Sequence, residues 1–243
     1  MDDLKYWLIN KGAEIINTLP DGQVEVLFKD TNYRGVYYKG NVKRGEFKDP
    51  LKPSVYGVGF LGKRYKKKSI YYDTWFNMMS RCFTSDVVEK YNTYRDCTVC
   101  NEWLNFSVFE KWCMKTFPVN KKIKYELDKD LLSKSNKIYS PETCCWLPKE
   151  INQYLNNGTG KISSSGVIGV SPHFKIPNAY EVRCADRHGK RKNLGVSYSL
   201  EEGYSRYTTF RRKELEFLAT KHYNIGNIDH NIYIYLLNYL QGD

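Results

Sequence analysis

The sequence predicts an α+β protein assembled from small modules. Three observations carry this expectation: short runs of alternating apolar and polar residues toward both ends of the chain, apolar stripes at three/four spacing between and after them, and Gly-, Pro- and Asn-rich stretches that divide the two kinds of pattern. The expected modules are an N-terminal β unit in residues 1–52, a strand-strand-helix unit with preceding helices in 53–157, a three-stranded sheet backed by a helix in 158–224, and a terminal helix in 225–243. A chain of 243 residues can bury a sizeable core, as one large domain or as two to three small ones.

In the first module, Gln23–Phe28 and Gly35–Tyr38 alternate with period two and are separated by turn residues, Pro20-Asp21-Gly22 and Asp30 to Asn32. They read as strands of a small SH3-like barrel. Residues 45–60, rich in Gly and Pro, read as a linker with some extended structure. Lys63 to Lys68 then places five positive charges in six residues. Such a run is either a solvated loop or a phosphate-contacting strip formed by Lys66, Lys67 and Lys68.

Tyr72 to Phe83 carries Tyr72, Trp75, Phe76, Met79 and Phe83 at helical spacing, and a second helix from about Asn105 to Thr116 would bury Phe106, Phe109, Trp112 and Cys113. Tyr125 to Leu132 reads as a strand, followed by a polar loop centred on Asn136, a short strand closing at Trp146 and a helix that begins near Pro148, where a missing N–H costs nothing. Beyond the Asn156 to Gly160 stretch, strands are expected at 165–170, 179–185 and 192–196, then a helix from Leu200 to about Tyr223 that packs through Leu200, Tyr204, Tyr207, Phe210, Phe217 and Leu218. Ile228 to Leu240 has helical spacing and should dock on another module or a second subunit.

Lys and Arg number 38 against 27 Asp and Glu, a formal charge of +11 that favours polyanionic partners. Within residues 163–192 there are six Lys and Arg, namely Lys175, Arg183, Arg187, Lys190, Arg191 and Lys192, against two acids, which would give the sheet a basic outer face. The opening Met1-Asp2-Asp3 is acidic, and no apolar run approaches the roughly 20 residues of a membrane helix, so a soluble cytoplasmic protein without a membrane partner is expected. Seven cysteines at irregular spacing suit reduced thiols or a metal. Cys97 and Cys100 form a C-x-x-C that could be half of a zinc site, with Cys113 and one of Cys144 or Cys145 completing it; buried thiols are the simpler reading.

The stretch Leu127-Asp128-Lys129-Asp130, Asn136, Tyr139 to Cys144, Trp146 and Asn152 resembles the His-Me finger, or HNH, motif of bacteriophage homing-endonuclease-like proteins. Residues 45–60, Trp75 to Cys82, Tyr94, Cys97 to Cys100 and Glu102-Trp103 resemble the same family. Gly166-Val167, Gly169-Val170, Tyr180, Leu194-Gly195 and Leu200-Glu201-Glu202 resemble an AP2-type DNA-binding domain, whose sheet lies in the major groove. That resemblance implies a DNA-contacting sheet face carrying His173, Lys175, Arg183, Arg187, Lys190, Arg191 and Lys192, with Arg183 as the base reader, since its fork can engage guanine O6 and N7 together. Together the resemblance runs from about Phe47 to Tyr223.

It implies that Asp128 and Asn152 hold a divalent ion, Mg or Mn, for phosphodiester hydrolysis, and that Asn136 orients the catalytic group. Lys129 occupies the position of the family's histidine, and all four histidines, His173, His188, His222 and His230, lie beyond the motif. The family's helix ligand falls nearer Tyr154 or Leu155. Lys129 would act as a base only with a lowered pKa, and otherwise contacts phosphate; Asp128 to Asp130 also read as a charged strand edge. The functional expectation is a protein that binds double-stranded DNA and cleaves it, with a nuclease-dead DNA-binding regulator or a phage effector that binds a host protein as alternatives.

Overall fold

The strand expected at Gln23–Phe28 is present in the computed structural model, with Val24, Val26 and Phe28 buried and the residues between them facing outward. The structure describes residues 3–65, 67, 69–84, 94–118, 122–134, 136–157 and 163–239. The chain is α+β with several small sheets and divides into two compact units, 1–115 and 116–243. No helix among the described residues is long and apolar enough to cross a membrane.

In the first unit, β1 (Ala13–Thr18), β2 (Gln23–Phe28) and β3 (Tyr33–Tyr38) form an antiparallel sheet in sequence order, preceded by α1 (Asp3–Asn10) and followed by α2 (Lys39–Lys43). This is a three-stranded sheet with helices, in place of the expected barrel. Helix α1 packs Leu4, Trp7 and Leu8 on a core of Ala13, Val24, Val26, Phe28, Tyr37, Val42 and Phe47. The supposed linker is therefore packed structure: Phe47 is buried, and a Cβ at Gly45 would lie 2.7 Å from the Trp7 ring. Lys11 ties it down, its ammonium donating to the carbonyls of Gly45 and Phe47 at 2.8 and 2.7 Å.

Helix α3 (Tyr72–Phe83) buries Trp75, Met78 and Met79, whereas Phe76 is partly exposed, so its inner face is rotated toward Met78. After the two-residue strand β4 (Thr98–Val99), helix α4 (Phe106–Thr116) buries Phe106, Phe109, Cys113 and also Glu110. Glu110 is tolerated there because Lys63 Nζ and the Tyr65 hydroxyl both reach its Oε2 at 2.8 Å. Burial pushes its pKa up, but those partners and Ser69 outweigh burial and hold the carboxyl below its ordinary range.

The second unit contains β5 (Tyr125–Asp128), β6 (Ile138–Tyr139), β7 (Cys145–Pro148), α5 (Lys149–Asn156), β8 (Val170–Pro172), β9 (Tyr180–Ala185), β10 (Arg191–Ser197), α6 (Leu200–Asn224) and α7 (His230–Asn238). Strands β5 and β7 pair antiparallel, with Leu127 opposite Trp146 and Asp128 opposite Cys145, and α5 follows with Pro148 as the residue that precedes it. Strands β10, β9 and β8 form a second antiparallel sheet in that order.

Long helix α6 joins these parts. Tyr207 and Phe210 pack with Val182 and Cys184 of the sheet, while Leu215, Leu218 and Ala219 pack with Leu147, Ile151 and Leu155 of the strand-strand-helix unit. Ile232 and Leu236 of α7 complete the latter core, so the terminal helix docks within its own unit. The buried face of α6 runs through Gly203, Tyr207, Arg211, Leu215, Leu218 and His222. Tyr204 and Phe217, expected to pack, are substantially exposed.

Candidate nucleic-acid interface

Strand β5 stops at Asp128 instead of reaching Leu132, because the Asp128 side chain captures the following backbone. Its Oδ1 accepts the N–H groups of Asp130 at 3.0 Å and Leu131 at 2.7 Å, which turns the chain out of the sheet. The carboxylate is buried, at 9% exposure. Burial pushes its pKa above the ordinary value, opposed by the Leu131 and Asp130 N–H groups and by Lys129, and reinforced by the Asp130 charge.

Lys129 is also buried, and its ammonium turns inward, to Asp130 Oδ1 at 2.5 Å and the Asn136 carbonyl at 2.9 Å. Asn136 returns the contact: its Nδ2 donates to the Lys129 and Ile138 carbonyls at 3.1 and 2.6 Å, and its Oδ1 accepts from Ile138 N–H at 3.0 Å. Lys129 and Asn136 thus cross-link the two ends of the loop. Asn152, buried on α5, donates to Glu126 Oε2 at 2.7 Å, and its Oδ1 receives the Asn156 amide at 3.3 Å.

Asp128 Oδ1 and Asn152 Oδ1 are therefore already hydrogen-bonded within their own loop and helix. Among the described residues, no three of His, Cys, Asp and Glu gather as a metal-binding group. Cys97 is buried and Cys100 partly so. Burial pushes the Cys113 and Cys145 thiols strongly up and Cys144 to about 12, which leaves them neutral packing groups.

The C-terminal sheet has an open face. Val182 and Cys184 point to α6, so Glu181, Arg183 and Ala185 point away from it. Pairing sets Asn193 of β10 opposite Arg183 and Arg191 opposite Ala185, on the same outer face. Glu181 fixes the pair: its Oε2 lies 2.6 Å from Arg183 Nη2, and its Oε1 accepts from Asn193 Nδ2 at 3.1 Å. The register breaks after Asn193, and Gly195 takes φ +96°, a bulge that lets Gly195 N–H bind Asn193 Oδ1 at 2.8 Å.

Asp186 shapes the β9–β10 hairpin through its Oδ1, which accepts from His188 and Lys190 N–H at 2.9 Å each, and its Oδ2 lies 3.5 Å from Lys192. Burial raises the Asp186 pKa, and these donors more than reverse it. Lys190, Arg191 and Lys192 remain exposed on this hairpin, and Lys175 on the β8–β9 loop. Arg187 is turned back onto α6, paired with Glu214 at 3.2 Å and stacked 3.8 Å from the Phe217 ring centre. Lys67 is exposed; Lys66 and Lys68 lie outside the described residues.

The first expected strand of this sheet, 165–170, is mostly turn. Gly166 and Gly169 have positive φ, and a Cβ at Gly169 would fall 2.1 Å from the Tyr207 ring, so pairing starts only at Val170. A cleft of about 530 Å³ opens beside it, lined by Arg183, Arg191, Arg211, Asn157 and Tyr207 among others. Arg211 is committed: it donates to the carbonyls of Tyr154, Leu155 and Asn157, capping the end of α5. Cys184, also in the cleft, is a thiol that burial pushes up to about 11.

Sequence reading missed Asn193 and the orienting role of Glu181, because both depend on strand register. The only available signal was the alternation Glu181, Arg183 within β9. No family model, curated protein or solved structure matches this chain.

Proposed function

We propose that this protein binds double-stranded DNA through the outer face of the β8–β9–β10 sheet, with the β5–β7–α5 unit as its scaffold and without metal-dependent cleavage. The observation that carries the reading is the Arg183–Asn193 pair, set side by side across two strands and held from one side by Glu181. Arg and Asn are the side chains suited to bidentate contact with guanine and adenine edges, and an exposed sheet is a known way to present them to the major groove. Exposed Lys175, Lys190 and Arg191 lie around them as phosphate contacts, whereas Lys192, opposite Cys184, is on the α6 side of the sheet. The commitment of Asp128, Lys129, Asn136 and Asn152 to their own loop and helix supports a scaffold role for that unit.

Fluorescence anisotropy with mixed-sequence 30-bp duplexes tests the reading. About three phosphate contacts imply a slope near −3 for log K against log salt, and a flat plot or no binding refutes it. Against a selected duplex, Arg183→Ala should cost roughly 1 to 3 kcal/mol of discrimination at one base pair; equal weakening on all sequences would reassign Arg183 to phosphate. Supercoiled plasmid with Mg²⁺ or Mn²⁺ should stay intact. Nicking that disappears in Asp128→Asn would overturn the scaffold assignment and restore the nuclease reading.

A further inference from the structure

The loop between β8 and β9 holds a bare aromatic ring in water. His173 N–H closes the hairpin on the Ala179 carbonyl at 2.8 Å, and His173 Nδ1 accepts the N–H groups of both Lys175 and Ile176 at 3.1 Å. One imidazole nitrogen therefore clasps the two amides that follow Phe174. Pro172 and Pro177 flank the clasp with restricted φ, and Asn178 takes φ +56° to complete the return. At the tip Phe174 is 95% exposed, with Ile176 partly exposed beside it.

Strand pairing fixes where this tip lies. Pro172 and Ser197 both pair with Tyr180, the first residue of β9, so the tip shares one end of the sheet with Tyr198, which is 72% exposed. The opposite end carries the hairpin with Lys190, Arg191 and Lys192. Six residues of β9 separate the two ends, about 20 Å at ~3.3 Å per residue. Arg183 and Asn193 lie on the outer face between them.

We infer that Phe174 is a wedge that enters between two stacked base pairs of duplex DNA and kinks the duplex at that step; this rests on the DNA-binding reading above. Charge selects the partner. The acids of the sheet are paired, Glu181 with Arg183 and Asn193, Asp186 with the hairpin amides and Lys192, and Glu202 beyond Tyr198 with Arg206, while exposed Lys175, Lys190 and Arg191 supply positive charge suited to phosphates. The apolar element is a single ring on a braced hairpin tip, with Lys175 adjacent. That is the shape of side chains that unstack a base step, the unstacking being offset by contacts that the bend allows. A wedge about 20 Å from the cationic hairpin puts the kink about six base pairs away from it, at ~3.4 Å per base pair.

The test uses the full chain and a 30-bp duplex recovered from a random-sequence pool by binding to the unmodified protein. End-to-end energy transfer reports bending, permanganate reports unstacked thymines, and anisotropy reports affinity against salt. The unmodified protein should bend the duplex by roughly 20 to 90°. Phe174→Ala should abolish the bend and any enhanced thymine reactivity, weaken binding about 10-fold, and leave the salt slope unchanged. Phe174→Trp should keep the bend. A bound but straight duplex, or an equal bend with Phe174→Ala, overturns the wedge and leaves the sheet-face reading standing. Recovery of no duplex at all overturns both.

Discussion

Replacing Asp128 distinguishes a carboxylate kept for the fold from one kept for its charge. Its Oδ1 accepts two backbone N–H groups, from Leu131 at 2.7 Å and Asp130 at 3.0 Å, in a buried setting. Alanine removes the acceptor and strands both donors, at roughly 1 to 2 kcal/mol each, so Asp128→Ala should lose about 2 to 4 kcal/mol. Asparagine keeps an oxygen at the same place and removes a charge that burial disfavours. Asp128→Asn should therefore stay within about 1 kcal/mol of the parent at pH 7. The pH dependence has a definite sign. The unfolded chain releases this proton near 3.8 while the folded chain holds it to higher pH. The folded state thus binds more protons in that window, and parental stability falls as pH rises through it. The advantage of asparagine should grow from nothing below about pH 3.8 to a plateau above the raised value. Urea unfolding followed by circular dichroism gives the energies, and amide exchange at Asp130 and Leu131 gives the location. Equal destabilisation by alanine and asparagine, with exchange unchanged at both amides, would refute the reasoning.

Arg211 offers three donor contacts to the end of α5, so Arg211→Ala should cost about 2 to 4 kcal/mol in urea unfolding. Lysine, lacking the planar fork, should recover less than half of that. Gly169→Ala combines positive φ with a Cβ 2.1 Å from the Tyr207 ring and should cost at least about 2 kcal/mol; a melting curve unchanged from the parent would contradict the packing. His222 is buried between Glu150, 3.0 Å from its Nε2, and Asn227, 2.9 Å from its Nδ1. Burial lowers its pKa against the pull of Glu150, so its contribution is complete above about pH 6.5 and is lost as pH falls through the lowered value. His222→Gln should flatten that acid-side decline in a pH series of unfolding curves.

Elements whose residues answer to near neighbours were legible in the chain. The alternation of Gln23–Phe28, the stripe of Phe106–Thr116 and the β-β-α order around Asn136 follow from side-chain period and turn chemistry. The misreadings have local physical causes. Leu4, Trp7 and Leu8 carry a helical signal for α1, yet the alternating runs beyond it suggested strand throughout. The strand after Tyr125 looked longer than it is, since an Asp that binds the two amides beyond it leaves no trace in hydropathy. Gly166 and Gly169 broke a strand that composition alone would extend.

The candidate site divides along the same line. Its charge, its basic residues and the suitability of Arg183 for base contact are properties of residue types, and the sequence by itself determined them. Whether those side chains share a face was decided by the pairing of β9 with β10, whose bulge after Asn193 shifts the register. Only the tertiary structure turned Lys129 inward, took Arg187 out of the exposed set, and left Phe174 in solvent. A side chain's chemistry is carried by its own atoms, but its availability depends on which distant carbonyl, carboxylate or ring reaches it first.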